Sequence, residues 1–315
     1  MTHLHIRIVM ATRNGAAFLP AQLDSFTAQT HDDWAVMAGD DGSGDGTPDL
    51  LADWGRAHPG RLAWAGPGPG VGAAANFLTL LARAAQAAPD AALAFSDQDD
   101  VWLPQKLARA NDWLMANGAA GGAALIWTCR TVLTDQALVP LGESRRFPQP
   151  PGFGNALVQN ILAGNTMVLS PAAARAVAGT VNTALECGVP YHDWWVYQVL
   201  TGIGARVCCE DAPLVLYRQH DGNMLGHHGP VRGRLRRLGL VARRDYSGWI
   251  GANLTALRRH EAMLTPPARL MLRAFMLARR RGGPALAAAL PRLGLHRQTP
   301  QGDRMLRLMA LSGRL

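Results

Sequence analysis

Along the first hundred residues, short and nearly continuous apolar runs alternate with stretches of helical periodicity. "IRIVMAT" (6–12) predicts a strand, and between Ala16 and Gln29 the residues Phe18, Leu19, Gln22, Leu23 and Phe26 fall on one helical face. "WAVMAGD" (34–40) predicts a second strand. "TPDLLADWGRA" (47–57) predicts a helix with Thr47 as N-cap and Pro48 at its first position. A weaker strand, "RLAWA" (61–65), precedes a loop rich in Gly and Pro, a helix around "ANFLTLLARAA" (75–85) and a fourth strand, "AALAFSD" (91–97). Continuous apolar strands in β-α-β order imply an α/β fold, a mainly parallel central sheet covered by helices on both faces. Between 123 and 229 come shorter strands ("AALIW", "TMVLS", "PLVLYRQ") and a helix near Asp193–Leu200. Beyond Pro230 the pattern is helical and Arg-rich, which predicts one domain over 1–229 and a basic helical extension over 230–315.

Composition sharpens this picture in two respects. A chain of 315 residues that is 48% apolar buries a sizeable core, and no apolar run reaches the length of roughly 18 residues that a spanning helix needs. The opening residues lead straight into the first strand with no signal-like apolar core, and the four cysteines form no CxxC. A reducing, cytoplasmic setting is therefore expected. The net charge of +8 divides unevenly: residues 230–315 hold 18 Arg against Asp245, Glu261 and Asp303, whereas residues 1–229 hold 13 basic and 20 acidic residues. The basic part suits an anionic surface, and the acidic part suits a cation.

In a parallel sheet, ligands gather outside the carboxyl ends of the strands. Those ends read "ATRNG", "GDDGSGDGT" and "SDQDD". If the last is extended, Asp97 and Asp99 project to one side and Gln98 and Asp100 elsewhere, so the pair suits a hard cation such as Mg²⁺ or Mn²⁺. A solvated turn, with Asp100 assisting the next helix, is the alternative. "DDGSGDGT" (40–47) has the opening spacing of an EF-hand, but Ala52 stands where a bidentate Glu is required; a well-formed turn is the plainer reading. "GPGPGVG" (66–72) lacks the third glycine of a dinucleotide loop and reads as a flexible connector. Asp193 in "PYHDWWVYQVL" is either a helix cap or a general base at a cleft edge. In "LYRQHDGNMLG", His220 is a candidate metal ligand and Arg218 a candidate phosphate partner.

Taken together, "VMATRNGAAFLPAQLDSFTAQT", "GDDGSGDGT", "FSDQDDVWLPQKL", "LAGNTMVLS", "HDWW" and "YRQHDGNMLG" resemble bacterial family-2 glycosyltransferases of the rhamnosyltransferase-like branch, over residues 5–226. The resemblance implies a Rossmann-like glycosyltransferase A fold that takes a nucleotide-diphosphate sugar, such as dTDP-rhamnose or a UDP-sugar, with a divalent metal, Mg²⁺ or Mn²⁺. It implies that Asp97-Gln98-Asp99 is a DxD motif with Asp99 as the direct metal ligand, and that His220 helps hold metal or diphosphate. Asp41 would face the base with Asp40 supporting its loop, Ala11 and Thr12 would line the nucleotide pocket, and Asp193 would be the catalytic base. Two departures stand out. Arg13 occupies a position often aromatic, and Ala74 and Ala75 lie where a basic residue is common, so Arg13 is the candidate replacement for a diphosphate contact.

The Arg-rich end carries two amphipathic stretches. Leu235, Leu238 and Leu240 lie among Arg234, Arg236, Arg237, Arg243 and Arg244, and Leu270, Phe275 and Leu277 lie among Arg269, Arg273 and Arg279–Arg281. Such helices suit an anionic membrane surface, peripheral at the inner face of the cell membrane, which accords with a saccharide or lipid-linked acceptor in cell-surface polysaccharide synthesis. An ordinary packed helical extension is the alternative. Two rival functions are a non-catalytic nucleic-acid-binding module using the basic tail and a nucleotidyltransferase on a similar fold. Nucleic acid is the less favoured partner, because the tail lacks interleaved stacking aromatics.

Overall fold

The computed structural model describes residues 3–220 and 245–315. The first elements are β1 (Ile6–Thr12), α1 (Leu19–Thr27), β2 (Trp34–Asp40), α2 (Thr47–Ala57), β3 (Leu62–Pro67), α3 (Ala73–Ala87), β4 (Ala92–Ser96), β5 (Val101–Trp102) and α4 (Lys106–Ala116). There follow β6 (Leu125–Thr134), β7 (Pro140–Glu143), α5 (Phe153–Ala156), β8 (Val168–Leu169), α6 (Pro171–Ala178), α7 (Val181–Glu186), α8 (His192–Gly202) and β9 (Arg206–Arg218). The C-terminal helices are α9 (Asp245–Arg259), α10 (Pro266–Arg281), α11 (Gly283–Arg292) and α12 (Pro300–Leu311). The expected amphipathic segment from Arg234 to Arg244, and the "DGNMLG" part of the "YRQH" motif, lie outside the described residues.

By their internal packing the described residues fall into two units. The first comprises residues 3–146, 162–181 and 205–220, and the second comprises 147–161, 182–204 and 245–315.

The first unit holds the sheet, in the order β3-β2-β1-β4-β8-β6-β9-β5, with β7 on β6. The half formed by β3, β2, β1 and β4 is parallel throughout. The short β8 runs against both β4 and β6, whereas β6 and β9 pair in parallel along their length. The sheet is thus mixed and mostly parallel. Burial explains the apolar runs: β4 is buried at every position, and Ile6, Ile8, Val36 and Ala94 are fully covered. The registers Thr12↔Asp40 and Met10↔Ser96 bring the carboxyl ends of β1, β2 and β4 to one edge. That edge carries the candidate site.

One local expectation is corrected. The N-cap of α2 is Gly46, and Thr47 is already helical. The Thr47 hydroxyl instead accepts a hydrogen bond from the Gly15 amide at 2.8 Å, tying α2 to the loop after β1.

The second unit is helical. Its C-terminal helices pack through Ile250, Leu254 and Leu257 of α9, Leu272 and Phe275 of α10, Leu286 and Leu290 of α11 and Leu306 of α12. Phe275 is fully buried, so it belongs to this core and not to an outward apolar face.

Candidate active site

The acid run after β4 does not stay extended. The chain bends at Gln98 and Asp99 before β5, and the expected alternation of side chains ends there. Asp97, Asp99 and Asp100 each bring a carboxylate oxygen within 4.8 Å of the other two. Asp100 therefore does not point away from the pair. Its carboxyl is fully buried, and burial first, then the neighbouring Asp99 and Asp97 charges, pushes its pKa well above the usual carboxylate range.

A set of braces holds this cluster in place. Asn165 Nδ2 donates to Asp100 Oδ2 at 2.6 Å, and the Arg218 amide approaches Asp100 Oδ1 at 3.3 Å. The Arg218 guanidinium donates from Nε to the Asp99 carbonyl at 2.9 Å and also bonds the Gln136 carbonyl. It is 6% exposed, and in this geometry it stiffens the acid loop. His220 Nε2 stands 2.7 Å from Asp99 Oδ2, and its ring stacks on Phe18 with centroids 4.8 Å apart. The Arg218 guanidinium lies 4.9 Å from the centre of the same Phe18 ring.

Beneath the loop lies Lys106, the single lysine of a chain with 30 arginines. It is fully buried, with Nζ 3.1 Å from the centre of the Trp102 ring and donating to the Asn165 carbonyl at 2.8 Å. Burial lowers its pKa to about 7, opposed by the charges of Cys129, Asp100 and Asp97. A compact ammonium fits over one ring and onto one carbonyl, where a guanidinium fork would need more room and more acceptors. That lone lysine was a signal in the sequence, as was Asn165 inside a quoted motif, and sequence reasoning passed over both; Phe18 was read only as part of a helix face.

The side of the site nearest β1 and β2 is wired by short polar links. Asp40 accepts from the Thr12 hydroxyl at 3.0 Å and from the Ser43 amide at 2.7 Å, so it supports the turn after β2. Asp41 is buried and accepts from the amides of Val71 and Gly72 at 2.6 and 2.8 Å. "GPGPGVG" is therefore anchored by Asp41, not a loose connector. Arg13 is largely exposed, with one guanidinium nitrogen 3.9 Å from Asp41. Ala11 sits in β1 opposite Gly39. A side chain at Gly39 would meet Asn76 Oδ1 and Leu80 Cδ2, each at 2.9 Å, so glycine here lets α3 close on β2.

Gln98, the middle residue of the acid motif, joins the two halves of this site. It accepts from the Arg13 amide and donates to the Arg13 carbonyl, both at 2.8 Å. A Cβ at Gly15 would lie 2.2 Å from Gln98 Oε1, so glycine leaves the space that this double bond occupies.

Asp193 belongs to the second unit. It is the second residue of α8, whose N-cap is Tyr191, and its Oδ1 accepts the Trp194 amide at 2.7 Å. Ahead of it, burial drives the His192 ring pKa down to about 3.

The donor set suits a hard divalent cation: three convergent carboxylates with one imidazole beside them. Without such a cation the neighbouring Asp99 and Asp97 charges add to burial in raising the Asp100 pKa.

Comparison with known proteins places this geometry in a family. The model of Glycosyl transferase family 2 matches residues 7–167, from β1 through the acid motif to the residue before β8. The chain belongs to glycosyltransferase family 2. This transferase is 27% identical over 245 residues to the dTDP-rhamnosyl transferase RfbG of Shigella flexneri, covering 75% of this chain and 80% of that one. Its fold is similar to that of Staphylococcus aureus TarS 1–349, solved with UDP-GlcNAc. The TM-score is 0.54 at 12% identity, over 98% of this chain and 92% of the other. It is also similar to the mannosyltransferase PcManGT of Pyrobaculum calidifontis, solved with GDP-Man and Mn²⁺. There the TM-score is 0.50 at 17% identity, over 99% and 87% of the two chains. The fold is glycosyltransferase A-like, and the chain is an enzyme that transfers a sugar from a nucleotide-sugar donor.

Proposed function

We propose that this enzyme is an inverting, metal-dependent glycosyltransferase that moves a deoxysugar such as rhamnose from its nucleoside diphosphate to a saccharide or lipid-linked saccharide. The observation that carries the reading is the convergence of Asp97, Asp99 and Asp100 at the strand edge where the nucleotide-side loops also end. The Shigella relative supports a dTDP-linked donor, and the nucleotide sugars bound by the two structural neighbours support the donor class.

Asp97, Asp99 and Asp100 would hold the cation, with His220 beside Asp99. When bound, the ion supplies Lewis-acid stabilisation of the charge that develops on the departing nucleoside diphosphate. Thr12, Asp40 and Asp41 shape the loops around the nucleotide, and Arg13 offers an exposed cation to the diphosphate. Asp193 takes the proton of the acceptor hydroxyl as that oxygen attacks the anomeric carbon. Bond breaking runs ahead through an oxocarbenium-like state, and direct displacement requires no enzyme nucleophile.

The test is turnover of a panel of nucleotide sugars with Mg²⁺ or Mn²⁺. One deoxythymidine-linked deoxysugar is expected to react best, Asp99→Ala to lose transfer, and Asp193→Asn to lose transfer while still binding donor. Near-normal turnover by Asp193→Asn removes the base assignment, and a metal-independent wild type removes the cation.

A further inference from the structure

Of the amphipathic stretch expected over 268–281, Leu270 and Leu277 face outward and Phe275 does not, and the last helix, which the periodicity did not single out, exposes apolar side chains of its own. Of the nine most exposed large apolar side chains among the described residues, five lie on just two helices of the second unit. They are Leu270 and Leu277 on α10, 67% and 51% exposed, and Met305, Leu308 and Leu311 on α12, 40%, 59% and 50% exposed. Each helix has already buried one face: Leu272 and Phe275 on α10, and Leu306 and Met309 on α12. The exposed residues form a second apolar stripe on the opposite side. On α12 Arg304, Leu308 and Leu311 follow one another at i, i+4 and i+7, flanked by Arg307 and Met305.

Among the charges around these leucines, Arg273 pairs with Glu261 at 2.7 Å, but most have no such partner. Arg280, Arg281, Arg292, Arg304, Arg307 and Arg314 are all exposed, and none has a carboxylate partner among the described residues. Asp303, the one acid of α12, turns to the Arg297 amide at 2.6 Å. Unpaired arginines alone would suit any polyanion. Leucines interleaved with them, and no aromatic side chain for base stacking, favour a surface that is anionic outside and apolar beneath.

We propose that the outward faces of α10 and α12 dock on an anionic phospholipid bilayer, with the leucines entering the headgroup region and the arginines meeting lipid phosphates. This deepens the functional reading, since a lipid-linked acceptor would lie in such a surface. It does not depend on the identity of the sugar.

Flotation of the full-length protein with vesicles tests it, using phosphatidylglycerol mixed with phosphatidylcholine against phosphatidylcholine alone at low salt. Wild type is expected to float with the anionic vesicles only and to be released by salt. Each arginine near such a surface contributes about fivefold in partitioning. Arg304→Glu/Arg307→Glu and, separately, Leu308→Glu/Leu311→Glu should therefore each lower flotation by about tenfold or more. The control Leu141→Glu alters an equally exposed apolar residue on β7 and should change nothing. The two pairs are independent, so misfolding of one leaves the other decisive. Flotation unchanged in both pairs overturns the proposal. So does wild-type binding to RNA in place of vesicles, or an oligomer without vesicles that the α12 changes dissociate. Turnover of a soluble acceptor separates the two readings: it persists in the α12 variants if only docking is lost.

Discussion

At the scale of single residues, this site rests on side chains that bond to backbone. Gln98 joins the metal-side loop to the nucleotide-side loop through both polar atoms of one amide. Gln98→Ala should cost on the order of 1–2 kcal/mol in stability, the usual net worth of two such bonds. It should raise the donor KM about tenfold through the loosened Arg13 loop, with a smaller effect on kcat. Gly15→Ala should reproduce that defect by evicting Gln98, and the double variant should be no worse than either single one. Steady-state kinetics of the three variants decide this; additive losses would separate Gln98 from Gly15. The acid cluster was legible in the sequence, whereas its geometry was not. Alternation along an extended chain divided Asp97 and Asp99 from Asp100, and a two-residue bend brought all three together. The same holds for Arg218, whose charge was visible but whose guanidinium is engaged by the carbonyls of Asp99 and Gln136.

At the scale of elements, β1, β2 and α2 run over the residues their patterns indicated, 6–12, 34–40 and 47–57. A buried parallel strand must be apolar on both faces, and that is a local signal. Strand β8 falls inside "TMVLS", which read as a short strand, but the two-residue β5 carries too few residues for any periodicity, and only its partner β9 defines it. In α8 the helical pattern was plain, but the half-buried setting of the His192 ring, with its Nε2 covered, was not. Its pKa of about 3 lies below the ordinary 6.5, so the unfolded chain binds the proton first as pH falls. That ring's contribution to instability should therefore grow as pH drops from 6.5 towards about 3 and be absent above 6.5. His192→Gln should flatten the acid limb of a urea-midpoint profile relative to wild type; parallel profiles would show that the ring is accessible to protons in the fold.

At the scale of the whole molecule, stability should be linked to ligand. A cation and nucleoside diphosphate that bind only the folded state raise its unfolding free energy by about 2.7 kcal/mol at a hundredfold excess over Kd. Mn²⁺ with the preferred nucleoside diphosphate should thus raise the thermal midpoint, and a chelator or Asp99→Ala should abolish the cation-dependent part. An unchanged midpoint in Asp99→Ala would move the cation elsewhere. The sequence by itself determined the alternation of strands and helices, the collection of acids at strand ends and the concentration of arginine after residue 230. These are properties of neighbouring residues, and periodicity and charge report them directly. Tertiary structure alone decided which carboxylates share a cation-sized space, which cations brace them and which leucines of α10 and α12 face outward. Those outcomes depend on pairings such as β6 with β9 and on bends a few residues long, where packing against distant segments overrides the local pattern.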